Sequence, residues 1–181
     1  MGIEELRLDC AIKQKKGLHF IIPSILIWIL ISGIHMTSLP ILTKNFYTFC
    51  ATAPLMPLAF LISKMIKVDF KNEGNPLSIL GLLFSLNQIL YLLIAMWIYS
   101  VLPENMVMVL AIIFGAHLLP FAWLYKSKSY MVVSVIISFS TLIIGLLFEP
   151  YIVAVVMILF EIIFSLLLIA EVKSLKQIIE L

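Results

Sequence analysis

The stretch FGAHLLPFAWLYKSKSY, residues 114–130, places a histidine and a proline inside an apolar run and then ends that run at two lysines. An apolar run that stops at lysines and is flanked by Trp123, Tyr125 and Tyr130 is typical of a helix that ends at the surface of a membrane. The stretch therefore predicts a membrane-crossing helix. It also places an ionisable ring where water is scarce, which calls for an explanation.

The composition of the whole chain indicates the same class. Of the 181 residues, 63% are hydrophobic and 12% are charged, whereas soluble domains have about 45–50% apolar and about 25% charged residues. A membrane-crossing helix needs about 20 apolar residues. The sequence therefore predicts an all-α, polytopic membrane helix bundle with six transmembrane helices, at about 18–36, 46–66, 77–100, 105–125, 130–147 and 150–172.

The basic residues predict the orientation of this bundle. With six spans, eleven of the twelve lysines and arginines fall on one side, and the other side has Lys44 alone. Positive residues concentrate on the cytoplasmic side of membrane proteins, so we expect both termini in the cytoplasm of a bacterial inner-membrane protein. The predicted organisation is a cytoplasmic amphipathic arm (1–17), a transmembrane domain (18–172) and a cytoplasmic tail (173–181).

Two interpretations of the N-terminal arm stay open. Ile3, Leu6 and Cys10 share one helical face and could contact lipid headgroups at the inner leaflet. The basic residues of the arm are also explained by the topology alone.

Polar residues recur near the middle of several predicted spans. With 1.5 Å of rise per residue, Gln88 lies near the middle of the third span, His117 near that of the fourth and Glu161 at that of the sixth. Asn87 adjoins Gln88. The depths of these four residues predict a polar layer that could bind a ligand or a proton.

Glu161 is the most informative member of this layer. A charged carboxylate at the bilayer centre costs about 2.5–3.5 kcal/mol on insertion scales, so Glu161 should face protein, be paired or be protonated. A contact with His117 would hold or pass a proton. The alternative is that Glu161, His117, Asn87 and Gln88 are polar contacts that join helices.

Prolines and small residues suggest where helices bend and where they pack. Pro54, Pro57 and Pro120 each remove a backbone hydrogen bond and predict either static kinks or hinges. Two stripes of small and polar residues predict interior faces used for close packing rather than for lining a pore. They comprise Ser78, Gly81, Ser85 and Gln88 in the third span, and Ser134, Ser138, Thr141 and Gly145 in the fifth.

Three runs resemble an uncharacterised family of small multi-span bacterial membrane proteins common in bacilli. They are FCATAPLMPLAFLISKMIKVDF (residues 49–70), NPLSILGLLFSLNQILYLLIAMWIYS (residues 75–100) and the stretch at 114–130. The resemblance covers nearly the whole chain. It implies a bacterial membrane setting and carries over no activity or site residue.

Three function classes follow from these patterns. The first is a small transporter or proton-coupled carrier that binds a small molecule or a proton at the polar layer and is hinged at Pro54 and Pro57. The second is a non-catalytic sensor, immunity or assembly protein, and the third is a lipid enzyme, which should have a cavity open sideways to lipid. We find no GxSxG, HExxH or CxxC signature, so the sequence predicts no cofactor, no metal and no nucleic-acid partner; the bilayer is the expected surroundings.

Overall fold

The computed structural model describes residues 2–179 and is helical throughout, with no strand in that range. The eight α-helices are α1 (Ile3–Lys13), α2 (Leu18–His35), α3 (Ile41–Thr52), α4 (Leu55–Met65), α5 (Leu77–Val101), α6 (Met106–Leu124), α7 (Lys128–Leu147) and α8 (Pro150–Ile179). Short 3-10 turns at Lys15–Gly17 and Pro103–Asn105 precede α2 and α6.

The fold class predicted from the sequence is confirmed. Six segments are long and apolar enough to cross a membrane, and we call them the first to the sixth span. Five of the six predicted ranges agree with these spans to within a few residues. The second span differs, because it begins at Ile41 and consists of two helices, α3 and α4. Proline begins α8 and caps α5, as expected of a residue that lacks an N–H.

Helix α8 includes most of the range predicted as the tail. The helix extends to Ile179, and residues 180 and 181 lie outside the described part of the chain, as does residue 1 of the predicted arm.

Four helices form the centre of the bundle. Helix α2 packs along α8, α6 packs along α7, and α7 and α6 both contact α8. The remaining spans lie at the periphery, with α3 and α4 packed on α2 and α5 packed on α6. Trp28 of α2 is buried near the centre with its ring edge toward Phe114 of α6. Because α4 and α5 lie at the periphery, the bundle can open between them without separating the four central helices.

The small-residue stripe of the fifth span packs as predicted. Ser134 and Thr141 are buried, and Gly115 of α6 lies opposite Ile137 and Ser138 of α7. A Cβ at position 115 would lie 2.7 Å from Ile137 Cγ2 and 2.8 Å from Ser138 Oγ. Small residues thus let α6 and α7 approach closely.

The N-terminal arm is held by the bundle instead of lying free beside it. Arg7 donates from Nε and Nη2 to the carbonyl of Trp123 at 2.8 and 2.6 Å, and its guanidinium lies 4.5 Å from the centre of that ring. Glu4 pairs with Lys126 at 2.7 Å. Cys10 is fully buried, so part of the face that could have contacted headgroups contacts protein.

Further contacts tie the arm to the loop between α4 and α5. Asp9 accepts from Asn72 Nδ2 at 3.0 Å and Asn75 Nδ2 at 2.8 Å, and it pairs with Lys13 at 2.7 Å. Burial raises the pKa of Asp9, but these three partners together lower it by more than burial raises it. The pKa therefore lies below its ordinary value of 3.8. This carboxylate therefore stabilises the docked arm above pH 3.8, and the stabilisation is lost as pH falls through the lower, folded pKa.

These contacts bring the arm and the two lysine-bearing connections to one end of the bundle, which we call the lysine-rich end. Lys16 is buried there and donates to Glu171 at 2.6 Å, and Ser127 and Ser129 donate to the same carboxylate. Gly17 has a φ of +75°, and a Cβ at that position would lie 2.7 Å from the hydroxyl of Tyr130. Glycine therefore permits the tight reversal between the arm and α2.

Candidate functional site: a cleft between the second and third spans

The second span is broken at Pro54. Helix α3 ends at Thr52 and α4 begins at Leu55, with Pro54 as the residue that precedes α4. A proline has no N–H to donate and its ring clashes with the preceding turn, which ends a helix. Pro57 lies in the first turn of α4, where proline is tolerated, and Pro120 lies inside α6, which continues to Leu124. Of the three prolines predicted to cause kinks or hinges, Pro54 is therefore the one at which a span is divided into two helices.

A cleft separates α4 from α5, with α2 and α6 behind it. It consists of two adjoining cavities of about 450 Å³ and 200 Å³; pockets for small molecules have about 300–1,000 Å³. The outer cavity lies at the lysine-rich end, and the inner cavity reaches the level of Gln88 and His117. The residues that line both are Phe20, Met56, Leu82, Ser85, Phe121 and Tyr125.

The cleft reaches the outer surface of the bundle. Met56 of α4 and Leu82 of α5 border both cavities, and each is 54% exposed. The surface on which they lie is the apolar surface that a bilayer would surround. The cleft is therefore open sideways, toward acyl chains, as well as at the lysine-rich end.

The polar stripe of the third span lines this cleft, which differs from the close packing predicted. Ser78, Gly81 and Ser85 border the outer cavity, and Ser85 and Gln88 border the inner one. The stripe does face inward, but α5 packs on α6 while α4 packs on α2. The faces of α4 and α5 that look toward each other therefore stay apart, and the stripe lines the cleft between them, although Gly81 also lies against α6, where a Cβ would be 3.1 Å from Leu124 Cδ2.

His117 and Gln88 both line the inner cavity. Nδ1 of His117 lies 2.6 Å from the carbonyl oxygen of Phe114. A carbonyl can only accept, so Nδ1 carries the hydrogen and, in the neutral ring, Nε2 is the acceptor. The edges of Phe114 and Phe121 contact the ring. His117 can thus accept one hydrogen bond beside the amide of Gln88.

The mouth of the cleft carries a second group of polar side chains. His19 is 2% exposed, and its Nδ1 has no hydrogen-bond partner within residues 2–179. Gln14 accepts from the hydroxyl of Tyr125 at 2.9 Å, and Lys71 pairs with Glu73 at 3.3 Å at the rim. Asn75 also lines the mouth. Both charge signs are therefore available to a polar group that enters here.

Two of the four residues predicted for the polar layer do not line the cleft. Asn87 is exposed on the outer side of α5, where its Nδ2 donates to Tyr91 at 2.8 Å. Glu161 is fully buried and its Oε2 lies 2.6 Å from Ser24 Oγ, so it pairs with α2 rather than with His117. It lies behind the cleft wall, because Ser24 also bonds the carbonyl of Ile21, and Ile21 lines the inner cavity.

The sequence reasoning missed several residues of the cleft. Phe20 and Phe121 form its apolar wall, and His19 lies at its mouth. All three sit in strongly apolar helices that show no clear polar face, so nothing in the pattern distinguishes them. Within the described range, no group of three or more histidine, cysteine, aspartate or glutamate residues could hold a metal ion.

The fold and the cleft together define an all-α bundle compatible with an integral membrane protein, with six candidate membrane spans and a side-opening cleft. The chain belongs to a family of unknown function (DUF7010), which it matches over residues 3–171. Membership of a family without an assigned function was expected from the three runs at 49–70, 75–100 and 114–130. Searches of the curated proteins and of the solved structures found no match.

Proposed function

We propose that this protein is a small carrier for an amphipathic molecule, whose polar head enters the cleft while its apolar chain stays in the bilayer. The observation that carries this proposal is the continuous, side-opening cleft between α4 and α5. A cavity with apolar walls and a few placed polar groups is the usual form of a small-molecule site.

Polar groups follow one another along the cleft in the order that a moving head would meet them. Asn75 and Ser78 lie at the mouth, Ser85 borders both cavities, and Gln88 and His117 form the inner end. A head that leaves water needs hydrogen-bond partners at every step, because an unsatisfied polar group in an apolar environment costs several kcal/mol, about 2–7. The acyl chain, which stays in the bilayer at the open side of the cleft, has no polar groups and needs no hydrogen-bond partners.

The break at Pro54 gives the carrier a candidate hinge. Leu55 and Met56, which follow it directly, line the inner cavity. Because α4 packs on α2 and is separated from α3 by the break, a rotation about residues 53 and 54 would change the width of the cleft without moving the central helices. Hinges are commonly a few residues at the ends of elements.

A lipid enzyme is supported less well than a carrier. A side-opening cavity suits both, but a histidine needs a second group to act as acid and base on a lipid. In the described part of the chain, the candidate partner Glu161 bonds to Ser24 behind the wall. We therefore favour binding and movement of the amphiphile over its chemical conversion.

We also propose that the lysine-rich end faces the cytoplasm of a bacterium, with the protein in its inner membrane. The support is the positive-inside rule and the grouping of the arm with both lysine-bearing connections at one end of the bundle. A membrane-impermeant thiol reagent added to right-side-out vesicles should label a cysteine placed at Lys44 and spare one placed at Lys71, in a Cys50→Ser background. The reverse pattern would refute the orientation.

The carrier proposal is tested by leaflet exchange of a fluorescent lysophosphatidylcholine in proteoliposomes. Ser85→Phe should fill the cleft where the two cavities join, and the exchange rate should fall to that of protein-free liposomes. Leu83→Phe is the matched control, because Leu83 lies on the same helix and is 55% exposed outside the cleft. Wild-type exchange no faster than in protein-free liposomes, or equal rates for the two variants, would overturn the proposal.

A further inference from the structure

A single hydrogen bond joins the buried carboxyl of the sixth span to the first span. Glu161 is fully buried in α8, and its Oε2 lies 2.6 Å from Ser24 Oγ of α2. Its other oxygen, Oε1, is buried and has no hydrogen-bond partner within residues 2–179. Within the described residues the carboxyl group therefore has one hydrogen-bond partner, Ser24, and that partner decides which hydrogen-bond arrangement is possible.

The hydroxyl of Ser24 has two neighbouring oxygens and only one hydrogen to give. Ser24 Oγ lies 2.7 Å from the carbonyl oxygen of Ile21 and 2.6 Å from Glu161 Oε2. The carbonyl can only accept, so the hydroxyl must donate its single hydrogen to it. Ser24 Oγ can then only accept a hydrogen bond from Glu161. An ionised carboxylate has no hydrogen to donate, whereas a carboxylic acid has one.

The titratable groups on the neighbouring elements form hydrogen bonds with partners other than Glu161. On α7, Tyr130 donates to the carbonyl of Lys16 at 2.9 Å, and Lys16 itself donates to Glu171. On α6, the Nδ1 of His117 is bonded to the carbonyl of Phe114. In the described residues none of these groups bonds Glu161, and a buried carboxylate without a cation is costly.

We infer that Ser24 and Glu161 form a proton-binding site, in which Glu161 is a neutral carboxylic acid that donates to Ser24 Oγ while Ser24 donates to the Ile21 carbonyl. All hydrogens and acceptors of the three groups are then matched, apart from Oε1. The site joins α2 to α8 in the centre of the bundle. It does not rest on the proposed carrier function, because Glu161 does not line the cleft.

The inference is tested by infrared difference spectroscopy on the protein in nanodiscs at neutral pH, with wild type compared against Glu161→Gln. The glutamine keeps the size of the side chain and an amide hydrogen for Ser24. We expect the wild type to have a carboxylic-acid C=O band that is missing from the variant. A difference spectrum that contains the carboxylate bands of Glu161 instead would overturn the inference.

A second variant keeps the test decisive if Glu161→Gln does not fold. Ser24→Ala removes the acceptor of the acid hydrogen, so the C=O band of glutamate-labelled protein should persist at neutral pH and shift to higher frequency. Ser134→Ala, which removes a buried serine of α7 that donates to the Met131 carbonyl, should leave that band in place. A spectrum without the band in wild type, or a band that Ser24→Ala leaves unshifted, would contradict the site.

Discussion

At the scale of single residues, the absence of a side chain at Gly115 is what allows α6 and α7 to approach. A methyl group there would meet Ile137 and Ser138 at less than 3 Å, and β-branched isoleucine has little rotamer freedom to move away. We expect Gly115→Ala to destabilise the protein by about 1–3 kcal/mol, as overpacking commonly does. Thermal unfolding in detergent measures this as a lower midpoint.

Gly33 provides the matched control for that substitution. It also lies inside a helix, but a Cβ at position 33 meets nothing within 4 Å. Gly33→Ala should be neutral or stabilising, because alanine favours a helix by up to about 1 kcal/mol over glycine. Equal midpoints for the two alanine variants would show that the α6–α7 contact is looser than described.

The sequence predicts how far along a span a residue lies more securely than it predicts which residues that residue contacts. The interior placement expected for Glu161 agrees with its complete burial; its central depth stays a prediction from the count of residues along the helix. Its partner, Ser24, could not be inferred. Helix α2 is apolar on nearly all sides, so its sequence does not determine which face turns toward α8.

At the scale of secondary-structure elements, the docked arm depends on Arg7. Its hydrogen bonds to the Trp123 carbonyl involve a charged donor and should contribute about 1.5–3 kcal/mol. Loss of that energy would expose Cys10, which is buried between the arm and the bundle and whose thiol pKa is raised by burial. In a Cys50→Ser background, Arg7→Gln should raise the rate of Cys10 labelling by maleimide about tenfold or more, since about 1.4 kcal/mol corresponds to a factor of ten.

Glu5→Gln is the control for the change in charge on the arm. Glu5 is exposed, and its side chain bonds the N–H of Gly2 within the arm rather than any part of the bundle. The rate of Cys10 labelling in the Glu5→Gln variant should match that of the Cys50→Ser parent. If Arg7→Gln also labels at the parental rate, the arm is held by other contacts and Arg7 is not its main attachment.

The elements illustrate how far local chemistry predicts structure. All three singled-out prolines lack an N–H, yet α3 ends before Pro54, Pro57 lies in the first turn of α4 and Pro120 lies within a continuing helix. The difference lies in the surroundings, because α6 packs against α5, α7 and α8, whereas α3 and α4 pack mainly on α2. Packing of this kind is tertiary and leaves no local trace in the sequence.

At the scale of the whole molecule, the six spans and the grouping of the lysines followed from composition and charge. Both are one-dimensional properties that a membrane imposes on the chain. The cleft did not follow, because it depends on α4 and α5 packing on different neighbours and leaving their facing surfaces apart. The small-residue stripe of α5 predicted an inward face correctly. Its residues border the cleft, and one of them, Gly81, also packs closely against Leu124 of α6.

The most direct test of the carrier account is photo-crosslinking with a lysophosphatidylcholine that carries a diazirine next to its headgroup. After irradiation in nanodiscs, peptide mass spectrometry locates the modified residues. The account predicts adducts concentrated on the cleft, at Met56, Ser85 and Gln88, and their loss in Ser85→Phe. Adducts spread evenly over outward-facing residues such as Leu83 and Phe139, with no enrichment in the cleft, would contradict it.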